Sequence, residues 1–387
     1  MSDLESFRAE TRLWLEANAP QGIRNLPDGE HYVCWGGRKW VFRSDDQRLW
    51  LERMAAKGWT APEWPKEYGG GGLSRDEARI LAQEMRRIKA KSPLESLGVW
   101  MLGPALLKYG TEELKREHLP KIIRGEVRWA QGYSEPGAGS DLANVQTKAV
   151  DDGDDFIVNG SKIWTSFGDQ CDWIFALVRS EPQAPKHLGI SFVLIDMSDP
   201  GVTTRPIKLI AGDSPFAQTF FDNVRVPKTH IVGERGRGWD VTKYLLQHER
   251  EMIGSRPESS LGEETLSQYA VRLLGREGLA REAVLRAEIA QCEMDFWAMN
   301  IALECSADQV KAKTILPTSS SVLKLIGTEI VKRRSELTMT IGGVDATATN
   351  SIYSHEWLHS PTLSIGGGTS EIQLNILAKR ALGLPGA

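Results

Sequence analysis

The stretch YSEPGAGSD, Tyr133 to Asp141, is the most informative part of this chain. Gly137 and Gly139 are free to take positive φ and put no side chain in the way of a ligand. Ser134 and Ser140 supply hydroxyls, and successive N–H groups of such a loop can line a concave anion site. The local expectation is a backbone cradle for something bulky and phosphorylated, against the plainer alternative of a glycine-rich turn. The surroundings of the loop decide between the two.

From near Trp129 to about Gly238 the chain carries short runs at strand spacing: DFIVNG (155–160), DWIFALV (172–178), ISFVLID (190–196) and TFFDNVRVP (219–227). Gly, Pro, Asp and Asn separate them, as in an antiparallel barrel or sandwich. Residues 2–129 read as mostly helical. Leu4, Phe7, Thr11, Trp14 and Leu15 recur at helical spacing behind a Ser2/Glu5 capping box, and Ser44/Gln47 and Ser74/Glu77 mark similar starts. After Trp239 helical patterns return over 239–256, 263–306 and 314–340, and a last helix follows Thr369. Helices, strands, helices gives an α+β multidomain chain with boundaries at 1–129, 130–237 and 238–387.

The 387 residues suffice for a large core and two or three domains. A net charge of −4 without a basic block gives no electrostatic argument for nucleic acid. No apolar run is long enough to span a membrane, and the N-terminus has acids where a signal peptide needs bases. Cys34, Cys171, Cys292 and Cys305 show no CxxC spacing and read as reduced thiols, which places the expected compartment in the cytoplasm. Thirteen tryptophans suggest a core or pocket lined with wide flat surfaces.

Three motifs carry little weight. His355-Glu356-Trp357-Leu358-His359 matches HExxH, but Ser360-Pro361 is expected to end that segment and no further His follows, so no metal is expected. GERGRGW (Gly233 to Trp239) sits at a β-to-α junction and not in a βαβ unit. The Gly69–Gly72 run has no preceding strand and no following Lys-Ser/Thr.

Four other segments reinforce one another: YSEPGAGSD; NGSKIWTSFGDQCDWI (Asn159 to Ile174), where Trp164 and Ser166 follow a turn and suit a flat heteroaromatic ring; FFDNVRVPKTHIVGERGRGW leading into YLLQHERE (Tyr244 to Glu251); and IGGGTSEIQLNILAKRALG (Ile365 to Gly383), a glycine turn with Thr369 at an N-cap. In this order, and with GWTAPEWPKEYGG (58–70) and YGTEELKREHLPKIIRGE (109–126), the set resembles the acyl-CoA dehydrogenase family over nearly the whole chain.

That resemblance implies an N-terminal helical domain, a central antiparallel β-barrel-like domain and a C-terminal four-helix bundle. It implies FAD as cofactor, with Tyr133, Ser134, Gly139 and Ser140 lining the flavin and its phosphates, Trp164 and Ser166 against the isoalloxazine, and Thr369 and Glu371 meeting the dinucleotide. Ser140, Asp141, Arg250 and Gly367 would face the acyl-CoA substrate. The implied reaction takes a proton from Cα and a hydride from Cβ, and passes electrons to an electron-transfer flavoprotein.

Two departures from the commoner family pattern matter. Many members carry the catalytic Glu in a Glu-Gly-Thr step, and here Gly367 stands at that position. Members of the isovaleryl-CoA type carry the base on a helix that opens the C-terminal domain. The match is His248-Glu249-Arg250-Glu251, which makes Glu249 the expected base and Glu251 its local rival. The usual Arg-x-x-Phe-Gly step, which reaches a neighbouring subunit's FAD, is also missing. The chain thus resembles the FAD- and base-bearing subunit of two-gene α2β2 dehydrogenases, which act on bulky acyl chains. A flavin oxidase or monooxygenase of the same fold, or a non-catalytic partner subunit, is the alternative.

Overall fold

The structure is a computed structural model that describes residues 3–26, 33–254, 264–312, 314–316, 318–348 and 351–385; the side chains of 247–254, 307, 310 and 311 lie outside that description. The chain divides into two compact units, 1–207 with 214–245, and 208–213 with 246–387.

The first unit opens with helices α1 (Asp3–Asn18), α2 (Asp45–Ala56), α3 (Arg75–Arg87), α4 (Gly103–Tyr109) and α5 (Glu112–Ile123). Sequence-local chemistry fixes their starts. Ser44 accepts from the Gln47 amide, and Ser74 and Glu77 form a reciprocal capping box. The proposed Ser2 cap lies outside the described residues. The apolar stripes of α1, α2 and α3 close on a core that includes Leu15, Trp50, Met54, Trp59 and Leu81. At its edge Glu84, only 2% exposed, accepts from Arg8, Arg12 and Arg87. Those guanidinium donors, Arg12 first, hold the carboxylate down to about 2.

Seven strands follow: β1 (Trp129–Gly132), β2 (Lys148–Asp152), β3 (Asp155–Ser166), β4 (Trp173–Arg179), β5 (Ile190–Asp196), β6 (Val202–Ile207) and β7 (Phe216–Pro227). They form one sheet in the order β1-β4-β2-β3-β7-β6, with β5 on β4. The sheet is mixed and not wholly antiparallel: β1 runs parallel to β4, and β2 meets β4 in parallel at Lys148 and Arg179. β1, β2 and β6 escape the sequence pattern because they are short and, in β2 and β6, mostly exposed, so alternation is weak. Phe156, Val158, Ile174, Ala176, Val178, Val193, Val224 and Val226 form the core of this domain.

The second unit is helical. Helix α6 (Gly238–Gly254) runs from the first unit into it, followed by α7 (Leu266–Arg281), α8 (Ala283–Lys311), α9 (Ser319–Ala346), α10 (Ile352–Leu363) and α11 (Ser370–Arg380). The single pattern read over 263–306 is two helices that part at Glu282. The expectation that Ser360-Pro361 ends the HExxH segment is also corrected: α10 runs through Pro361 to Leu363. His355 and His359 stack on it, and His355 Nε2 lies 3.1 Å from Asp213. Among the described residues no group of three or more His, Cys, Asp or Glu is placed to hold a metal. Leu266, Tyr269, Ile289, Cys292, Leu337 and Ile341 form the core of this unit. The opposite face of α8 leaves Met294, Trp297 and Ile301 about 60% exposed. All four cysteines are free thiols, and among the described residues no helix is long and apolar enough to cross a membrane.

Where α5 meets the sheet, His118 is boxed by Trp129 and Trp173 at 5.2 and 5.1 Å, with His230 at 6.5 Å. Burial pushes its imidazole down to about 4. The native state therefore holds His118 neutral where the unfolded chain, titrating near 6.5, takes a proton. Stability from this site is full above pH 6.5 and is lost as pH falls towards 4, by about 3 kcal/mol in all. Chemical denaturation between pH 7 and 4 should give a shallower pH slope for His118→Phe than for the wild type; equal slopes would contradict this reading.

Candidate functional site

The loop from Tyr133 to Thr147 is built around one buried charge pair. Along β3, Phe156, Val158 and Lys162 fall on the inward side of the alternation, so a lysine occupies a core position. Lys162 is fully buried, and its ammonium donates to Glu135 Oε1 at 2.7 Å and to the Tyr133 carbonyl at 3.3 Å. Glu135 also accepts from the amides of Gln146 (2.6 Å) and Thr147 (2.9 Å), which draws both ends of the loop together. Burial pushes Lys162 down to about 8, against the pull of Glu135. Burial also works against the Glu135 carboxylate, but the Lys162 charge and the hydrogen bonds from Lys162, Thr147 and Gln146 outweigh it and hold the group below its usual range. The loop tip is tied further by Lys186, which donates to both Asp141 oxygens at 2.7 and 2.6 Å, and by Arg179, which donates to the carbonyls of Ala143 and Val145.

Against this frame the sequence-read residues separate by role. Tyr133 turns its ring into the core against Phe175 and Phe192, so its backbone is what remains for a ligand. Gly139, Ser140 and Asp141 are exposed and Ser134 is half-buried. Gly137 and Gly139 do not use their freedom to take positive φ, since neither is among the glycines that adopt it. A Cβ added at either would meet nothing within 4 Å. Neither backbone conformation nor packing within the chain calls for glycine there. By contrast Gly160, at φ 148°, would drive a Cβ to 2.7 Å from Thr147 Oγ1, so its glycine is needed inside the fold.

The loop and the end of β3 are joined by a backbone hydrogen bond. The Ile163 amide donates to the Ser134 carbonyl at 2.9 Å. Between Lys162 and Thr165 the register of β3 on β7 shifts by one residue, a bulge. Within it Trp164 stands at φ 61° and 52% exposed, its ring edge-on to Phe216 at 6.0 Å. A left-handed tryptophan costs about 1–3 kcal/mol. Trp164 and Ser166 thus lie on a bulged strand and not after a turn, as the sequence suggested.

In the second unit Thr369 caps α11, accepting from the Ile372 amide at 3.3 Å. Its hydroxyl and the Glu371 amide lower the Glu371 carboxyl, the amide more strongly. Gly367 and Gly368 take φ 69° and 94°, and the Gly368 carbonyl accepts from the fully buried Lys324 at 2.7 Å. Gln373, also fully buried, donates to the carbonyls of Gly367 and Gly368. Glu249, Arg250 and Glu251 belong to α6, and their side chains lie outside the described residues.

Sequence reasoning missed Lys162 and Glu135. The signal was present: a lysine on the inward face of an alternating strand needs a counter-charge, and the loop holds a single acid before its exposed tip.

Models of the acyl-CoA dehydrogenase N-terminal, middle and C-terminal domains match residues 38–126, 130–224 and 236–382. Acyl-CoA dehydrogenase IpdE1 of Mycobacterium tuberculosis is 34% identical over 400 residues, covering 100% of this chain and 99% of its own. The solved structure of the Tcur3481-Tcur3483 steroid ACAD superposes with TM-score 0.76 at 29% identity over 100% of this chain and 99% of that one. The ChsE4-ChsE5 complex of Mycobacterium tuberculosis gives TM-score 0.75 at 29% identity, covering 100% and 98%.

Removing one partner of the buried pair strands the other charge. Lys162→Met should cost about 3–5 kcal/mol in urea unfolding, and adding Glu135→Leu should restore part of that loss. A single-variant cost below about 1 kcal/mol would contradict the pairing.

Proposed function

The chain belongs to the acyl-CoA dehydrogenase family of oxidoreductases, and from that premise we propose that it catalyses the FAD-dependent α,β-dehydrogenation of an acyl-CoA thioester to the trans-2-enoyl-CoA. One observation carries the cofactor assignment. Gly137 and Gly139 border open space in a loop whose Ser134 is hydrogen-bonded to Ile163, the residue before the strained and exposed Trp164, which is the arrangement expected where a ligand fills what side chains would otherwise occupy. In this reading the loop backbone from Tyr133 to Gly139, with the hydroxyls of Ser134 and Ser140, holds the dinucleotide; Trp164 and Ser166 hold the ring system; Thr369 and Glu371 hold it from α11. FAD, when bound, supplies the acceptor for the hydride that leaves Cβ.

The chain's own chemistry is proton transfer and charge stabilisation. A thioester Cα–H is a weak acid, so a carboxylate must stand ready to accept the proton as negative charge develops on the thioester oxygen. Gly367 cannot do this, and Glu249 is the proposed base, with Arg250 beside it in sequence. Ser140, Asp141 and Gly367 are the further proposed substrate contacts. A bulky acyl chain is supported by the absence of a side chain at Gly367 and by the steroid substrate named for the Tcur3481-Tcur3483 neighbour. Electron-transfer flavoprotein is the proposed acceptor. Assembly with a second subunit of the same fold, as α2β2, is supported by the two-protein neighbours and by the uncovered Met294, Trp297 and Ile301 on α8.

Glu249→Gln should lower turnover by about 10²–10⁴-fold while flavin content stays at the wild-type level, and Glu251→Gln should not. Normal turnover by Glu249→Gln would refute the base assignment. Gly139→Val should leave the stability of flavin-free protein within about 0.5 kcal/mol and yet reduce FAD bound after purification. Unchanged loading would remove the loop from the cofactor site.

A further inference from the structure

The end of β3 and the turn that follows it hold two aromatic residues at positive φ: Trp164 in the strand's bulge at 61° and Phe167 at 49°. Backbone of this kind persists only where its surroundings leave no alternative. On one side the Ile163 amide is held by the Ser134 carbonyl and the Phe167 amide by the Pro215 carbonyl at 2.8 Å. On the other side the hold comes from a short segment more than a hundred residues earlier, Trp35 to Lys39.

Trp35 lies 5.8 Å from the Phe167 ring, and the Arg128 guanidinium stands 4.7 Å from Phe167 and 5.3 Å from Trp35, so the cation bridges both rings. Trp100, in the π-helical turn Gly98–Leu102, meets Trp35 edge-on at 5.8 Å and closes the far side. Three residues on, Arg38 donates its amide (3.0 Å) and Nε (3.2 Å) to the carboxylate of Asp172, which also accepts from the Arg128 amide at 2.9 Å. Lys39 donates to the Asp169 carbonyl at 2.8 Å. Gly37, at φ 98°, makes the approach possible: a Cβ there would fall 2.7 Å from both Arg128 Cβ and Asp172 Oδ2. The 167–172 turn is therefore gripped at Phe167, Asp169 and Asp172 by a segment that contributes to no strand of the sheet.

We propose that Trp35–Lys39 is a positioning clamp that sets the conformation of the 163–170 segment, and through it the presentation of Trp164 and Ser166. Trp35 and Arg38 are its positioning residues. The clamp itself rests on geometry alone; what it presents Trp164 and Ser166 to rests on the flavin reading above.

The test uses the full chain as purified and follows amide hydrogen exchange, the visible flavin spectrum, and kcat and KM with an acyl-CoA that the wild type oxidises. Trp35→Leu should speed exchange at Ile163 and Phe167 by about tenfold or more. It should also shift the flavin bands and lower kcat by about tenfold, with KM within about twofold. Trp35→Phe should return all three to wild type. Arg38→Ala, whose side chain is more than half exposed and so spares the core, should act in the same direction. Leu15→Ala, which opens the distant α1 core, serves as the control for simple destabilisation and should leave the exchange at Ile163 and Phe167, the spectrum and kcat unchanged. Unaltered exchange at Ile163 and Phe167 in both clamp variants would overturn the proposal. Faster exchange with an unchanged spectrum and kcat would overturn its second half. A wild-type protein without flavin would defeat the cofactor reading instead, and the exchange data would still decide the clamp.

Discussion

The buried contact between Lys162 and Glu135 is the constraint on which the site depends. An ammonium fully removed from water is tolerated only with a partner at bonding distance, and the partner must then have its own remaining lone pairs filled. Glu135 meets that demand with two loop amides, so satisfying one charge fixes three points of a fifteen-residue loop. An apolar pair of similar volume would fill the same space but would leave the Gln146 and Thr147 amides without their acceptor. The ion pair is thus best understood as a device for shape. It decides where the tip from Pro136 to Ser140 stands, and the tip is free to be glycine-rich because the pair beneath it supplies the order.

Fixed in this way, the loop can leave room. At several other positions glycine answers to contact or conformation: Gly160 against Thr147, Gly37 against Arg128 and Asp172, Gly368 at φ 94° beneath Gln373. Gly137 and Gly139 answer to neither, and the bulge in β3 that is bonded to the same loop leaves a large aromatic ring exposed at a cost. Open space and stored strain, joined by the Ile163–Ser134 hydrogen bond, distinguish this place from the rest of the sheet. The same economy appears at the glycine turn before α11, where Lys324 and Gln373 secure the carbonyls of a segment that has no side chain of its own at Gly367.

Much of this was legible in the sequence. The helix starts at Ser44, Ser74 and Thr369 were readable because capping is a matter of a few neighbouring atoms. The longer strands were readable because burial imposes alternation on β3 and β7 and a continuous apolar run on β4 and β5. β1, β2 and β6 were not: four to six residues, nearly all buried in β1 and nearly all outside the core in β2 and β6, leave no period to detect. Nor was the parallel pairing of β1 with β4, which is a property of tertiary arrangement. Helix α10 was lost to Pro361, which the helix accommodates near its end. In the site, the residue types of the loop were informative, but their roles were not. Tyr133, read as a flavin contact, buries its ring; Glu135, which the sequence reading did not single out, is the anchor; Trp164, read as a flavin contact after a turn, is strained within a bulged strand. Each difference depends on a partner distant in sequence, Phe175, Lys162 and Phe216 respectively.

The most direct test is the visible spectrum of the purified chain, followed by anaerobic titration with a panel of acyl-CoAs. If the loop and the β3 bulge form a flavin site, the protein carries FAD, alone or with a second subunit of the same fold, and at least one acyl-CoA bleaches its absorption. A protein that stays colourless alone and with such a partner, in the presence of added FAD, would contradict that reading of the site.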